Sequence, residues 1–366
     1  MSIYKIVITG GPCAGKTTAL SWIQNAFSKR DYKVLFIPET ATELISGGVA
    51  PWTCRTNLDY QKCQMFLQMK KEEVFLRAAK TMDADKILIV CDRGALDNRA
   101  YMTQEEWEQV LSDMGTNEID LRDGYDAVFH MVTAAKGAEE AYTLSNNAAR
   151  YEGVKEAAGM DDKLIAAWTG HPHLRIIDNS TDFESKLERL IFEITSFLGE
   201  PEPREIERKY LIRYPDLDWL ASLPNCKKVE IIQTYLNSPS GVQIRVRKRG
   251  DEGHYVYYRS EKRKISETRR VEVEGRLTRE EYLRCLTDAD PTARPIEKTR
   301  YCLADHNHYF EIDIYPEWKQ QAILEIELRS EKDEVRIPEG IEVIREVTKD
   351  PAYKNYSLAH HMIAET

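Results

Sequence analysis

The sequence predicts two domains of different fold class: a parallel five-stranded α/β domain, then an antiparallel β domain that closes into a barrel. In residues 1–199, short apolar runs alternate with longer stretches of helical period, as in a parallel sheet. From residue 202 onward the period changes to two, with charged and apolar side chains alternating. A chain of 366 residues can bury a core in each domain.

Five apolar runs are the predicted strands of the parallel sheet: residues 6–8, 34–37, 87–90, 127–131 and 174–177. A last helix over 183–198 ends at Gly199, and the Glu-Pro-Glu-Pro stretch after it cannot continue a helix. We therefore predict domains over 1–199 and 202–366. In the second domain, Thr278 and Glu281 form a capping box that predicts a helix over 279–286.

A phosphate-binding loop is predicted between the first strand and the first helix. The segment from Gly10 to Thr17 fits G-x-x-x-x-G-K-[ST]. Backbone amides of such a loop surround phosphates, Lys16 neutralises their oxygens, and the Thr17 hydroxyl is placed to bind Mg²⁺. The predicted nucleotide-binding residues are Gly10, Gly11, Pro12, Cys13, Ala14, Gly15, Lys16, Thr17 and Thr18.

Polar residues follow the later strands, where ligands of open α/β sheets collect. Glu39, Asp92 and Arg93 come directly after the second and third strands. An acid there can orient a nucleophile or Mg²⁺, and an arginine can reach a phosphate; the alternative is a solvated loop charge. Arg150 is a candidate lid residue or a surface charge. Asp178 and Asn179 are candidates for the base edge, with ATP and GTP both left open.

The second domain has strands with one charged face and one apolar face. In residues 242–249, three arginines occupy one parity and the apolar side chains occupy the other. A single strand of this kind is explained by a solvated sheet face. Over six or seven strands, however, the charged face is almost pure carboxylate or pure base. The charged segments lie around Glu205, Arg245, Lys262, Arg270, Lys298, Glu311 and Glu325.

Closing these strands brings acids and bases together around a lumen, where unpaired charge is costly. Facing carboxylates suit hard divalent cations, and clustered arginine and lysine suit phosphate oxygens. The pattern therefore predicts a site for a polyphosphate together with Mg²⁺ or Mn²⁺.

The second domain resembles the CYTH, or triphosphate tunnel metalloenzyme, superfamily. The E-x-E-x-K strand from Glu205 to Lys209 carries the resemblance, supported by the Q-T-Y-L, R-x-R, R-x-E-x-E, K-x-R and E-x-E segments. The family's T-x-K strand reads Ser260-Glu261-Lys262 here. The resemblance implies an eight-stranded antiparallel tunnel that hydrolyses tripolyphosphate, a nucleoside triphosphate or thiamine triphosphate by a metal-activated water.

The resemblance also implies roles for individual residues. The implied catalytic residues are Glu205, Glu207, Lys209, Glu325 and Glu327. The implied metal ligands are Glu205, Glu207, Glu272, Glu274, Asp313, Glu325 and Glu327. The implied triphosphate-binding residues are Arg245, Arg247, Lys262, Arg270, Lys298 and Arg300.

The first domain resembles the AAA-type P-loop domain found with nicotinamide riboside kinases and with the TRP-like channel translocation-defect protein. The matching runs are Gly10 to Cys13, Asp92 to Gly94 with Asp97, 134–138 and 178–184. This resemblance implies binding of ATP or GTP. For the barrel, it implies an anionic lipid, phosphatidic acid or a phosphoinositide, as a further partner.

Composition argues against other classes. The net charge is −10, which disfavours a nucleic-acid partner. No apolar run approaches the ~18 residues of a membrane span. The seven cysteines are scattered without a C-x-x-C pair, so we expect a cytoplasmic location.

Three functions are consistent with the sequence. The tunnel could hydrolyse a triphosphate while the P-loop domain binds nucleotide, or it could capture an anionic headgroup under nucleotide control. In the third, the P-loop domain is a small-molecule kinase with Glu39 or Asp92 as base.

Overall fold

The computed structural model describes residues 1–141, 153–199, 206–264, 270–328 and 333–363, without the side chains of 141, 263–264 and 270–273. The chain divides into two compact units, Met1–Ile194 and Thr195–Thr366. The predicted linker at residues 200–203 lies outside the described residues, and the predicted domain boundaries stay predictions.

The first unit is a five-stranded parallel sheet, as predicted. Its strands are β1 (Ser2–Thr9), β2 (Tyr32–Ile37), β3 (Lys86–Asp92), β4 (Ala127–Met131) and β5 (Leu174–Ile177). Their order is β2-β3-β1-β4-β5, and all pairs are parallel. Because β1, β3 and β4 lie inside the sheet, their buried residues are mostly apolar.

Helices connect and cover these strands. They are α1 (Lys16–Ser28), α2 (Thr40–Ser46), α3 (Asn57–Ala79), α4 (Gln104–Asp113), α5 (Glu118–Arg122), α6 (Val154–Trp168) and α7 (Phe183–Phe197). Short 3₁₀ helices occupy Ala95–Tyr101 and Glu139–Ala141. No helix in the described part of the chain is long and apolar enough to cross a membrane.

The second unit is one large antiparallel sheet. Its strands are β6 (Ile206–Arg213), β7 (Cys226–Leu236), β8 (Val242–Asp251), β9 (His254–Lys264), β10 (Arg270–Leu277), β11 (Ile296–Asp305), β12 (His308–Ile314), β13 (Gln321–Leu328) and β14 (Val343–Glu346). The order is β10-β9-β8-β7-β11-β12-β13-β6-β14. The antiparallel architecture is confirmed, with nine strands rather than the expected eight.

Helices of the second unit are short: α8 (Leu217–Ser222), α9 (Arg279–Cys285) and α10 (Asn355–His360), with 3₁₀ turns at Leu286–Asp288 and Pro351–Tyr353. The predicted capping box of α9 is present, since Thr278 N donates to Glu281 Oε2 at 2.7 Å and Glu281 N donates to Thr278 Oγ1 at 3.2 Å.

The two faces of the antiparallel sheet differ as the alternation predicts. The outer face is an apolar core in which Tyr210, Phe310 and Leu324 pack with Leu220 of α8. The inner face carries the charges, and the sheet curls around it. Glu207 on β6 lies within electrostatic range of Lys262 on β9, although five strands separate β6 from β9.

Candidate functional site

The loop between β1 and α1 has the backbone that a phosphate cradle needs. Gly10 has φ +142°, and a Cβ atom there would lie 2.0 Å from the Met131 carbonyl oxygen. Gly15, the N-cap of α1, has φ +91°, and its Cβ would meet the Phe183 ring at 2.4 Å. Both positions therefore require glycine.

Lys16 is bound by its own loop. Its Nζ donates to the carbonyl oxygens of Gly10 at 3.0 Å and Gly11 at 3.4 Å. Burial, and then the charge of Arg93, lower the pKa of Lys16 to about 8. A phosphate bound beside Lys16 would add negative charge and so stabilise the ammonium.

The structure brings Glu39, Asp92 and Arg93, which follow the second and third strands, near Lys16. Arg93 Nε donates to Glu39 Oε1 at 2.5 Å, and Arg93 Nη1 lies 3.9 Å from Asp97 Oδ1. Burial opposes ionisation of Glu39, but Arg93 and Lys16 lower its pKa to about 2. Burial raises the pKa of Asp92, whose buried Oδ1 has no hydrogen-bond partner among the described residues.

Two buried charged residues that were not among the predicted site residues, Asp161 and Lys186, form hydrogen bonds with the phosphate-binding loop. Asp161 on α6 accepts hydrogen bonds from Gly11 N at 3.0 Å and Thr133 N at 3.1 Å. Lys186 on α7 donates to the carbonyl oxygen of Ala14 at 3.3 Å. Both side chains lie on the apolar stripe of their helix, which is the sequence signal that could have found them.

The two candidates for the base edge hold the protein's own chain. Asp178 Oδ1 accepts from Arg189 Nη1 at 2.5 Å and from Ser180 Oγ at 2.6 Å. Asn179 Nδ2 donates to the carbonyl oxygens of Thr133 and Lys136, each at 2.8 Å. These bonds give both side chains a structural role. Arg150, the predicted lid residue, lies outside the described residues.

In the second unit, five predicted site residues form one buried network on the inner face. Lys209 Nζ lies 2.7 Å from Glu325 Oε1. Arg300 Nε donates to Asp313 Oδ1 at 2.6 Å, and its Nη2 donates to Asp313 Oδ2 at 2.7 Å and Glu325 Oε2 at 3.2 Å. Lys298 Nζ also donates to Asp313. The strands thus bring together residues more than 100 positions apart.

Electrostatics fixes the charge states in this network. Burial opposes ionisation of Glu325, but Lys209, Lys298 and Arg300 hold its pKa well below its usual range. Burial also opposes the charge of Lys209, whereas Glu325 and Glu207 raise the pKa of this ammonium. Glu325 is therefore an anion and Lys209 a cation near neutral pH, whereas burial, and then the charge of Arg300, lower the pKa of Lys298.

Strands β8 and β9 carry further predicted site residues, all of them basic. Arg245, Arg247 and Lys262 lie on β8 and β9. Arg245 Nη1 donates to Gln233 Oε1 at 3.4 Å, and Gln233 Nε2 donates to the Tyr235 hydroxyl at 3.0 Å. Gln233 is thus a further inner-face residue, one that the sequence singled out only as part of a family motif.

Three of the predicted metal ligands have polar partners within the protein. Asp313 and Glu325 are paired with lysine and arginine, and Glu274 accepts from Ser260 Oγ and lies 4.0 Å from Arg247. The expectation that these three carboxylates bind metal stays a prediction. Within the described residues, no three His, Cys, Asp or Glu side chains are grouped to hold a metal.

Glu207 and Glu327 are the candidate ligands for a divalent cation, and Glu207 Oε1 also lies 3.7 Å from Lys209 Nζ. They lie directly opposite each other on β6 and β13. Burial, and then the charges of Glu325 and Glu327, raise the pKa of Glu207, so additional positive charge would stabilise its carboxylate. Glu205, another expected ligand, lies outside the described residues. The side chains of Glu272, also an expected ligand, and of Arg270 are not described either.

Two family models match the chain: an AAA domain over residues 5–186 and a CYTH domain over residues 203–349. The chain is thus an AAA domain fused to a CYTH domain, as the sequence predicted. A search of curated proteins found no match.

Three solved structures illustrate the similarity. The inorganic triphosphatase NE1496 is 26% identical over 44% of this chain and 97% of its own, with a TM-score of 0.32. The deoxyadenosine kinase from M. mycoides with bound dATP is 14% identical over 52% and 99%, with a TM-score of 0.38. The PH1012 protein from Pyrococcus horikoshii OT3 is 19% identical over 34% and 80%, with a TM-score of 0.26.

Proposed function

We propose that the CYTH domain binds and hydrolyses a linear triphosphate with Mg²⁺ or Mn²⁺, while the AAA domain binds ATP or GTP. The buried network of Lys209, Lys298, Arg300, Asp313 and Glu325 is the observation that carries the proposal. It holds three bases at fixed positions on the inner face, which also carries the arginines of β8. Such an arrangement suits a flexible polyanion, whose phosphate oxygens would bind from several sides.

The inner-face residues would have different roles in binding and hydrolysing the triphosphate. Arg245, Arg247, Lys298 and Arg300 would bind phosphate oxygens, and Asp313 orients the last two until a phosphate takes its place. Glu207 and Glu327 would hold the divalent cation, which supplies positive charge that polarises a phosphoryl group. Glu325 positions Lys209, whose ammonium neutralises charge that develops on the phosphate.

A phosphate-release assay on the full-length protein tests this assignment. The substrates are tripolyphosphate, ATP, GTP and thiamine triphosphate, each with Mg²⁺ or Mn²⁺. We expect Glu325→Gln to abolish release from tripolyphosphate and Lys16→Met to leave it unchanged, while Lys16→Met abolishes nucleotide binding to the AAA domain. Undiminished release by Glu325→Gln would reject the tunnel as the active site.

A second candidate function, phosphoryl transfer by the AAA domain, is favoured by a separate observation. The Tyr60 hydroxyl and Gln61 Oε1 are buried and have no hydrogen-bond partner among the described residues. Burial, and then the charge of Glu39, raise the pKa of Tyr60 to about 12, so the neutral hydroxyl lies within electrostatic range of a candidate base. A polar acceptor would satisfy these groups.

Consumption of ATP or GTP with a panel of nucleosides and other hydroxyl compounds tests this second candidate. Activity that depends on one acceptor and is lost in Gln61→Leu supports it. Nucleotide consumption unaffected by every acceptor counts against it. The predicted anionic-lipid partner, lack of a nucleic-acid partner and cytoplasmic location stay predictions.

A further inference from the structure

Two buried charges of opposite sign lie directly beneath the phosphate-binding loop. Asp161 is completely buried, and Lys186 is 2% exposed. Burying a charge is costly unless it is paired and hydrogen-bonded, so we expect specific contacts to stabilise each of these two charges. Neither side chain belongs to the G-x-x-x-x-G-K-T motif.

The Lys186 ammonium has as many hydrogen-bond acceptors around it as it has N–H donors. Its ammonium has three N–H donors, and the three oxygens around it are the Val132 carbonyl at 2.6 Å, Asn179 Oδ1 at 2.7 Å and the Ala14 carbonyl at 3.3 Å. Ala14 belongs to the phosphate-binding loop, and Val132 follows β4. The ammonium therefore links the second half of the loop to the neighbouring strand end.

Asp161 makes the corresponding link for the first half. Its Oδ1 accepts from the amides of Gly11 and Thr133, and from His130 Nε2 at 3.0 Å. Its Oδ2 accepts from Lys136 Nζ at 3.0 Å. Asp161 thus binds the first half of the loop and Lys186 the second half. The two side chains also bind adjacent residues after β4, Thr133 and Val132.

These contacts bear on what the loop presents to a ligand. A phosphate cradle requires amide groups aimed at the ligand, and therefore carbonyl groups aimed away from it. Lys186 holds one such carbonyl from below. Burial lowers the pKa of Lys186 to about 8, and Lys16 contributes to the same shift, so the two ammonium groups lie within electrostatic range of each other.

We propose that Asp161 and Lys186 are positioning residues, which set the orientation of the loop amides that receive the phosphate groups of a nucleotide. This inference rests on the proposed nucleotide binding by the AAA domain. Loss of either charge would let the loop relax while the fold and the motif remain. The affinity for a nucleoside triphosphate should therefore fall more than the stability of the domain explains.

Titration of full-length protein with fluorescent N-methylanthraniloyl ATP and GTP, each with Mg²⁺, tests the inference. The variants are Lys186→Met, Lys186→Arg and Asp161→Asn, with Lys155→Met on the exposed face of α6 as control. All titrations are made below the unfolding temperature of every variant. Since hydrogen bonds to charged groups contribute appreciably, we expect Lys186→Met and Asp161→Asn to weaken binding by about tenfold or more.

The conservative variant separates positioning from folding. Lys186→Arg keeps the charge and the donors, so we expect it to fold and to recover part of the affinity. Lys155→Met should bind as the wild type. Wild-type affinity in folded Lys186→Met or, should that variant not fold, in folded Asp161→Asn would overturn the inference. Failure of the wild-type protein to bind either nucleotide would instead remove the proposed function, and the inference with it.

Discussion

Lys209 and Glu325 face each other across neighbouring strands, with their charged atoms 2.7 Å apart and both side chains at most 10% exposed. Arg300 donates to the same carboxylate. Replacing Glu325 by glutamine leaves two buried cations without that partner. We expect the second unit to lose about 3 kcal/mol of its free energy of unfolding.

Urea unfolding of the full-length protein, followed by a probe in the second unit, measures this loss. Glu342→Gln is the matched control, because Glu342 pairs with Arg213 at 3.5 Å on the surface with 75% of its side chain exposed. That change should cost less than about 1 kcal/mol. Equal losses in the two variants would show that the buried pair has no special importance.

Arg300→Lys should lower tripolyphosphate hydrolysis by about ten- to a hundredfold, because a lysine cannot reproduce the planar fork that binds both oxygens of Asp313. The measurement is kcat and KM for tripolyphosphate. Arg213→Lys, on the surface, should change neither. Full activity in Arg300→Lys would mean that only the positive charge at this position matters.

Nucleotide affinity should depend on pH through Lys16. Its pKa is about 8 in the nucleotide-free protein, and a bound phosphate raises it. Binding therefore requires proton uptake above pH 8, and affinity falls as pH rises, by at most about tenfold per pH unit for this group. Below pH 7 the ammonium is already formed and its contribution is constant.

Titrations between pH 6.5 and 9.5 in buffers of different ionisation enthalpy check this prediction. Lys16→Met should lose most of the pH dependence, with a remainder from Lys186, whose pKa is also about 8. Wild-type affinity that is flat across pH 8 would contradict the assignment.

Gly10→Ala should destabilise the first unit by more than about 1 kcal/mol, since φ is +142° and the new Cβ would lie 2.0 Å from a carbonyl oxygen. Gly159→Ala is the contrasting change. Gly159 lies inside α6 with open space around it, so alanine there should stabilise the unit by about 0.5–1 kcal/mol. Thermal unfolding of both variants measures the difference, and the same sign for both would refute the explanation.

Most of the fold could be predicted because each unit has its own clear periodicity. The strand at Ala127–Met131 was predicted with its observed bounds, since it is buried and all its residues except His130 are apolar. The strand at Ser2–Thr9 was predicted too short, because its first residues are only partly buried. The ninth strand, Val343–Glu346, was missed because its four residues are all exposed and show no alternation.

The site was predictable where a local motif carries it. The phosphate-binding loop and the charged parity of the tunnel strands both depend on near neighbours in sequence. Asp161 and Lys186 could not be assigned in this way, because their partners are set by tertiary packing. The pairing of Asp313 with Lys298 and Arg300 was missed for the same reason, since sequence shows which charges share a face but not which of them touch.

The ion pairs on the inner face mean that the tunnel carries its own counterions. A phosphate group that reaches Lys298 or Arg300 must take the place of a carboxylate already bound there, so the gain is the difference between two kinds of ion pair. A small monovalent anion gains little from such an exchange. An extended chain of phosphates can replace several carboxylates at once, so the pairing by itself would select for length and charge.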